Sequence, residues 1–294
     1  MNVTDDAILN RLRDAEKATE RGSALTKPNL FAVEGRTDAA NARAFARQFG
    51  DNYLWCDPWK TWLHYDGRFW SEDQTCSIES AAKQFAQSLW DEAAKIVRDP
   101  DSSDQLKKQV IAFAKSSNSA AGIRNMIALS KSEPGMTVLP DQLDRDPYLL
   151  NVSNGTINLR TGELQPHRRE DLLTKIVAVD FDCNAKCEQF LAFIKSVFVN
   201  NENLIGFIQR LCGYLLTGDV SEQILAIFYG EGSNGKSTLL TLLLTLLAEY
   251  GCKAPEKLLT AKKFDSHPTE LAKLHGKRLV VANEADDNSE LNES

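Results

Sequence analysis

Residues 230–237, Gly230-Glu231-Gly232-Ser233-Asn234-Gly235-Lys236-Ser237, bring three glycines, an ammonium group and a hydroxyl into one short stretch between two apolar runs. The spacing Gly-x-x-x-x-Gly-Lys-Ser is that of a phosphate-binding loop. Glycines allow consecutive backbone N–H groups to curl inward as a nest for phosphate oxygens. A helix starting where the loop ends adds its unpaired N–H groups and its positive dipole end to the same anion site. In that arrangement Lys236 reaches the β and γ phosphates as a point charge, and Ser237 offers its hydroxyl to Mg²⁺. The residues expected to hold the nucleotide are Gly230, Glu231, Gly232, Ser233, Asn234, Gly235, Lys236, Ser237 and Thr238. The competing reading is a chance glycine-rich turn, which average residue frequencies produce in about one chain of this length in a hundred.

A second acidic element is needed to act on water and metal. The stretch "RLVVANEAD" (278–286) supplies a candidate. Its apolar run Leu279 to Ala282 ends at Asn283 and Glu284, so a parallel strand here presents Glu284 at its carboxyl end, beside the loop. Glu284 could then orient or deprotonate the attacking water, and Glu284 or Asp286 could act on Mg²⁺ directly or through water. The plainer alternative is a polar strand end leading into an acidic loop, since residues 284–294 contain five acids and no base.

These groups must be held by regular elements, and the sequence marks them. Residues 4–20 predict a helix capped by Thr4, and 21–35 a linker broken by Gly, Ser and Pro. A short helix follows over 37–50, capped by Thr37 or Asp38 and stopped by Gly50. "TWLHYDGRFW" sets aromatic runs on either side of Asp66-Gly67, a hairpin signal. Helices are expected at 77–98, 103–116 and 119–131. Alternation around "RTGE" predicts a second hairpin over 155–164, turning at Thr161-Gly162. Helices at 187–199 and 203–218 come next, and then "QILAIFYG" (223–230), an apolar run suited to a buried parallel strand. A leucine-rich helix runs from the loop to about Tyr250, and a lysine-bearing segment (253–275) leads to the acidic strand.

Composition excludes some classes. Apolar content of 43% and charged content of 26% are those of an ordinary globular protein. A net charge of −7 gives no global basic footprint for nucleic acid, although a local patch remains open. No run of about 18 apolar residues, the length needed to span a bilayer, occurs in the sequence. The acidic, amphipathic start is unlike a signal peptide, so a location inside the cell is expected. The six cysteines are scattered and complete no metal site, which fits reduced thiols.

"GEGSNGKSTLL" has the asparagine-before-glycine-lysine form of superfamily 3 helicases. The chain resembles, more narrowly, the phage and plasmid primase-helicases related to the poxvirus D5-type nucleoside triphosphatases. The similarity extends through "TDAANARAFARQFGDNYLWCDPWKTWLHYDGRFWSED", "LLNVSNGTINLRTGELQPHRREDLLTK", "IQRLCGYLLTG" and "LAKLHGKRLVVANEAD", covering about residues 37–294. It implies an α/β P-loop NTPase, AAA+-like with an incomplete parallel sheet, preceded by a mostly α-helical domain with small β-hairpins. The implied division is 1–36 as helix and linker, 37–202 as the helical domain and 203–294 as the NTPase domain. The implied activity is an ATP-dependent DNA helicase with Mg²⁺, acting in replication of a phage, prophage or plasmid in the bacterial cytoplasm. Lys236 and Glu284 carry the catalytic roles, Ser237 and Glu284 the metal, the latter through water. Implied partners are single-stranded or forked DNA, a homo-oligomeric (hexameric) ring, a primase and a replication initiator.

Two departures bear on that implication. Asn283 stands where many superfamily 3 members carry a second acid, which weakens the case for direct Mg²⁺ ligation. The family continues past this motif with a DNA-contacting lysine segment, a sensor residue and an arginine finger, whereas Ser294 follows Glu284 by ten residues. The chain is thus expected to be a carboxyl-terminally truncated member, inactive by itself. A small-molecule kinase and a nucleotide-gated DNA- or protein-binding module are the alternatives. The aromatic stretch 53–70 is either a base-stacking surface or a packed hairpin core.

Overall fold

The computed structural model describes residues 35–230, 232, 234–254 and 274–282. The expected helix at 4–20 lies outside these residues. The chain divides into two compact units, one formed by residues up to 64 with 72–138, the other by 65–71 with residues from 139 onward.

In the first unit the helices begin where capping side chains stand. Helix α1 (Asp38–Phe49) starts at Thr37, whose Oγ accepts from the Ala40 N–H at 3.1 Å. Strands β1 (Tyr53–Cys56) and β2 (Thr61–Tyr65) pair antiparallel with Trp55 opposite Trp62, while β3 (Trp70–Glu72) begins in the 65–71 stretch of the second unit. The Asp73 carboxylate then accepts from the Ser77 and Ile78 N–H groups, both at 2.8 Å, and so heads α2 (Ser77–Arg98). Ser103 and Ser119 cap α3 (Asp104–Ser117) and α4 (Ala120–Ser130) in the same way. Phe45, Trp55, Trp62, Phe85, Leu89, Val110 and Met126 close one apolar core. The aromatic stretch is therefore mostly core: Tyr53, Trp55 and Trp62 are buried, and Trp59 alone of its tryptophans stands out.

The second unit is built on an antiparallel sheet of β4 (Leu149–Val152), β5 (Gly155–Asn158) and β6 (Glu163–Gln165). The β5–β6 hairpin turns at Thr161-Gly162, with Gly162 at φ 75°, as the sequence predicts. A Cβ on Gly155 would lie 2.5 Å from the Gln165 carbonyl oxygen, so only glycine admits this close approach. Asn151 of β4 is fully buried and joins four segments. Its Nδ2 donates to the Arg68 and Lys175 carbonyls at 3.1 and 3.2 Å. Its Oδ1 accepts from Thr156 Oγ at 3.2 Å and lies 2.8 Å from His167 Nδ1.

Helices α5 (Glu188–Val197), α6 (Glu202–Leu216) and α7 (Lys236–Leu247) follow, and α7 passes through a 3₁₀ turn into β7 (Gly251–Lys253). Strand β7 pairs in parallel with β8 (Leu279–Val281). One expectation is overturned. Residues 223–230 form no strand, and Ile224, Leu225, Ile227 and Tyr229 are 53%, 70%, 72% and 90% exposed. Only Phe228 packs on the core. Apolar composition gives a segment the propensity to extend, but a strand also needs a neighbour to take its N–H and C=O groups. Strands β7 and β8 pair with each other and leave this run without a ladder.

Candidate functional site

The glycine loop joins the exposed run to the first turn of α7. Gly235 sits in the left-handed region at φ 85° as the residue before the helix. A Cβ there would fall 2.6 Å from Val197 Cγ2 and 3.3 Å from Phe193 Cε2, so α5 packs directly against the loop's end. Conformation and space both require glycine. No side chain caps α7, which leaves the N–H groups of its first turn without intrahelical acceptors. Leu239, Leu243 and Leu247 bury the opposite face and fix the helix in the core.

Lys236, the first residue of α7, turns back across the loop. Its Nζ donates to the Gly230 carbonyl and to Asn234 Oδ1, both at 2.9 Å. The ammonium group thus bridges the two glycine-flanked ends of the loop. At Gly230 a Cβ would lie 2.7 Å from Asn234 Nδ2, so a larger residue would fill the hollow that the lysine spans. Ser237 and Thr238 follow in the same turn of α7. Glu231 and Ser233 lie outside the described residues, as do Asn283, Glu284 and Asp286.

Strand β8 is the element that precedes Glu284 in the sequence. Leu279 and Val281 are buried, and β8 lies in register with β7, Gly251 opposite Leu279 and Lys253 opposite Val281. Its start is fixed by Arg278, a residue that motif reasoning passes over. The Arg278 guanidinium donates to the Leu216 carbonyl at the end of α6 and to the Leu149 carbonyl of β4, the latter at 2.6 Å. It also lies 4.4 Å from the ring centroid of Tyr250, a fully buried residue whose hydroxyl donates to the Lys175 carbonyl at 3.1 Å. Burial lowers the Arg278 pKa from its ordinary value and raises that of Tyr250. Lys175 in turn pairs with Asp144 at 2.6 Å. No local pattern signals this cluster, because its members come from five separate stretches of chain.

A hollow of about 320 Å³ lies away from the loop, lined by Leu150, Val152, Ile157, Val177, Leu216 and Leu247 among others. Its walls are almost wholly apolar, which suits neither phosphate nor metal. Among the described residues no cluster of three metal-ligating side chains occurs, and no helix is long and apolar enough to cross a membrane.

A family model described as "D5 N terminal like" matches residues 42–199. A protein named as a helicase in Invertebrate iridescent virus 6 is 27% identical over 131 residues, 43% of this chain and 13% of that protein. Another, named as a helicase in Acanthamoeba polyphaga mimivirus, is 27% identical over 157 residues, 51% of this chain and 16% of that protein. The chain thus spans about a seventh of the length of these relatives.

Proposed function

This chain belongs to the D5 N-terminal-like family, and from that membership we propose that it carries the nucleotide-binding part of an ATP-dependent DNA helicase of superfamily 3 type. The observation that carries the reading is the loop itself: Lys236 Nζ spans Gly230 and Asn234 at the uncapped head of α7. A lysine, a hydroxyl and the N–H groups at a helix start that no side chain caps fit a triphosphate better than any other ligand class. When bound, ATP and Mg²⁺ supply the reacting phosphoryl group and the charge that neutralises it. The chain's own part is to bind and orient. The first turn of α7 receives phosphate oxygens, Lys236 exchanges its loop carbonyl for phosphate, and Ser237 holds the metal. Glu284, three residues beyond β8 in the sequence, orients or deprotonates the water. The fold to which this corresponds is a P-loop NTPase of AAA+ type, with 203–294 as the NTPase domain and 37–202 as the helical domain before it.

The helicase-named relatives favour DNA as the partner. The complete assembly is a homo-oligomeric, hexameric ring around single-stranded or forked DNA, working with a primase and an initiator in replication of a phage, prophage or plasmid. The test is nucleotide titration with turnover on the full-length protein. Lys236→Ala should weaken ATP binding at least tenfold, while Glu284→Gln should leave binding near wild type and slow hydrolysis. Equal loss of binding in both would remove the catalytic role of Glu284. Strand displacement separates a helicase from a nucleotide-gated module that binds without unwinding.

A further inference from the structure

Between Gln105 and Ser132 the chain carries Lys107, Lys108, Lys115, Arg124 and Lys131 and not one acid, although acids outnumber bases 41 to 34 in the whole sequence. These residues form α3, the two-residue connection Asn118-Ser119, and α4. Buried Val110, Ala114 and Ser117 define the inward face of α3, and Gly122, Met126 and Ser130 that of α4. Helical spacing then sets Lys108, Ala112 and Lys115 on the outward face of α3, and Ala121, Arg124 and Ala128 on that of α4. All six are exposed.

The charges on this face are left open. Lys131 is engaged elsewhere, with its Nζ 3.4 Å from the centre of the Trp55 ring. Lys108, Lys115 and Arg124 form no ion pair or side-chain hydrogen bond among the described residues, whereas Lys107 is half-buried toward the side of Val110 and Ala114 and is not part of this face. On α2, by contrast, Lys95 is paired with Glu92 at 3.1 Å. Three such cations on consecutive helices repel one another unless an anion neutralises them. Alanines between the charged positions let an extended polyanion approach the helix surface. Lys108 and Lys115 are two turns apart, about 10 Å along the axis, or roughly three nucleotides of one strand. Asp104, one turn before Lys108, marks the end of the basic face.

We infer that the outward face of α3 and α4 binds the sugar-phosphate backbone of nucleic acid. The inference extends the helicase reading but stands on a different unit from the phosphate loop, so the two can fail separately. The experiment is fluorescence anisotropy of the 294-residue chain with a labelled 20-nucleotide single strand and with its duplex, without ATP, across a salt series. The variant Lys108→Gln/Lys115→Gln/Arg124→Gln should flatten the slope of log K against log salt by about 2, from ~0.7 per phosphate contact on a single strand. At 0.1 M salt its affinity should fall by at least tenfold. The variant with Lys108 and Lys115 changed to arginine should bind as wild type does. No binding by wild type, an unchanged slope in the glutamine variant, or equal weakening by the arginine set would overturn it. So would stronger competition by polyglutamate than by unlabelled DNA, which would mark an acidic protein as the partner. Salt-dependent binding lost in the glutamine variant upholds the surface even if the full-length protein hydrolyses no ATP.

Discussion

Replacing Asn151 tests whether the second unit is held together by one buried amide. Asn151 is fully buried and touches the Arg68 and Lys175 carbonyls, the Thr156 hydroxyl and the His167 ring. Asn151→Ala leaves these groups without their partner in a site closed to bulk water. A buried polar group that loses its partner costs about 1–3 kcal/mol, and the terms do not add fully when one water can enter the space. A total of about 2–4 kcal/mol follows. Hydrogen exchange is the suitable assay, because it reads local opening without requiring the whole chain to unfold in one step. The reporters are the Val177 N–H, bonded to the Asn151 carbonyl at 2.9 Å, and the Trp70 N–H, bonded to the Leu173 carbonyl at 2.8 Å.

A loss of 2–4 kcal/mol corresponds to exchange about 30- to 700-fold faster at these amides, at 1.4 kcal/mol per tenfold. Asn151→Asp should be worse than Asn151→Ala. A carboxylate cannot donate to the two carbonyls, and it sets a negative charge against their oxygens. Exchange within threefold of wild type in Asn151→Ala would refute the reasoning. So would an aspartate variant better protected than the alanine one, since donation by Nδ2 would then not be the function of the side chain.

Two further outcomes are expected. Gly235→Ala should lower nucleotide affinity by about tenfold, because the new Cβ meets Val197 Cγ2 at 2.6 Å and the left-handed φ costs about 1–2 kcal/mol; isothermal titration checks this, and Val197→Ala should restore part of the loss by removing the clash. Asp73 gives a pH signature. Partial burial works against its ionisation, but the N–H groups of Ile78 and Ser77 prevail and hold its carboxyl below the ordinary 3.8. Its contribution to stability is then complete above that unfolded value and is lost as pH falls through the lower folded value. The stability gap between wild type and Asp73→Ala should therefore be constant near neutrality and narrow only in the acid range below about pH 4, as followed by urea unfolding.

The helices were legible because their signals are local. Thr37, Ser103, Ser119 and Asn201 each stand one residue before a helix and accept from its first turn. The "RTG" hairpin was legible for the same reason, since the turn residues and the alternation fall within ten positions. Strand β4 was not, because Leu149 to Val152 is buried at every position and shows no alternation. Strand β7 has three residues, one of them glycine, and is a strand only because β8 lies beside it. The failure at 223–230 has the opposite cause, ample propensity and no neighbour. The phosphate loop could be found from spacing alone, but the packing of Val197 and Phe193 against Gly235, and the anchoring of β8 by Arg278, depend on residues far away in sequence.

The two ends of the phosphate loop are held very differently. At its carboxyl end Gly235 is packed under α5, and α7 is rooted by three buried leucines. The N–H groups that would meet phosphate are therefore pre-positioned, and binding an anion there costs little ordering. At its amino end Gly230 follows a run in which Phe228 alone reaches the core. What ties Gly230 to the helix is Lys236 Nζ, at 2.9 Å from its carbonyl. A phosphate that draws the ammonium to itself must give up this tie or share it. The lysine then has two tasks, one as a charge toward phosphate and one as a staple between the loop's ends. A Lys236→Ala variant removes both, so its loss of affinity is an upper bound on the electrostatic part. The difference between Lys236→Ala and Lys236→Arg, which keeps the charge and can still donate to the Gly230 carbonyl, bounds what the two tasks contribute together.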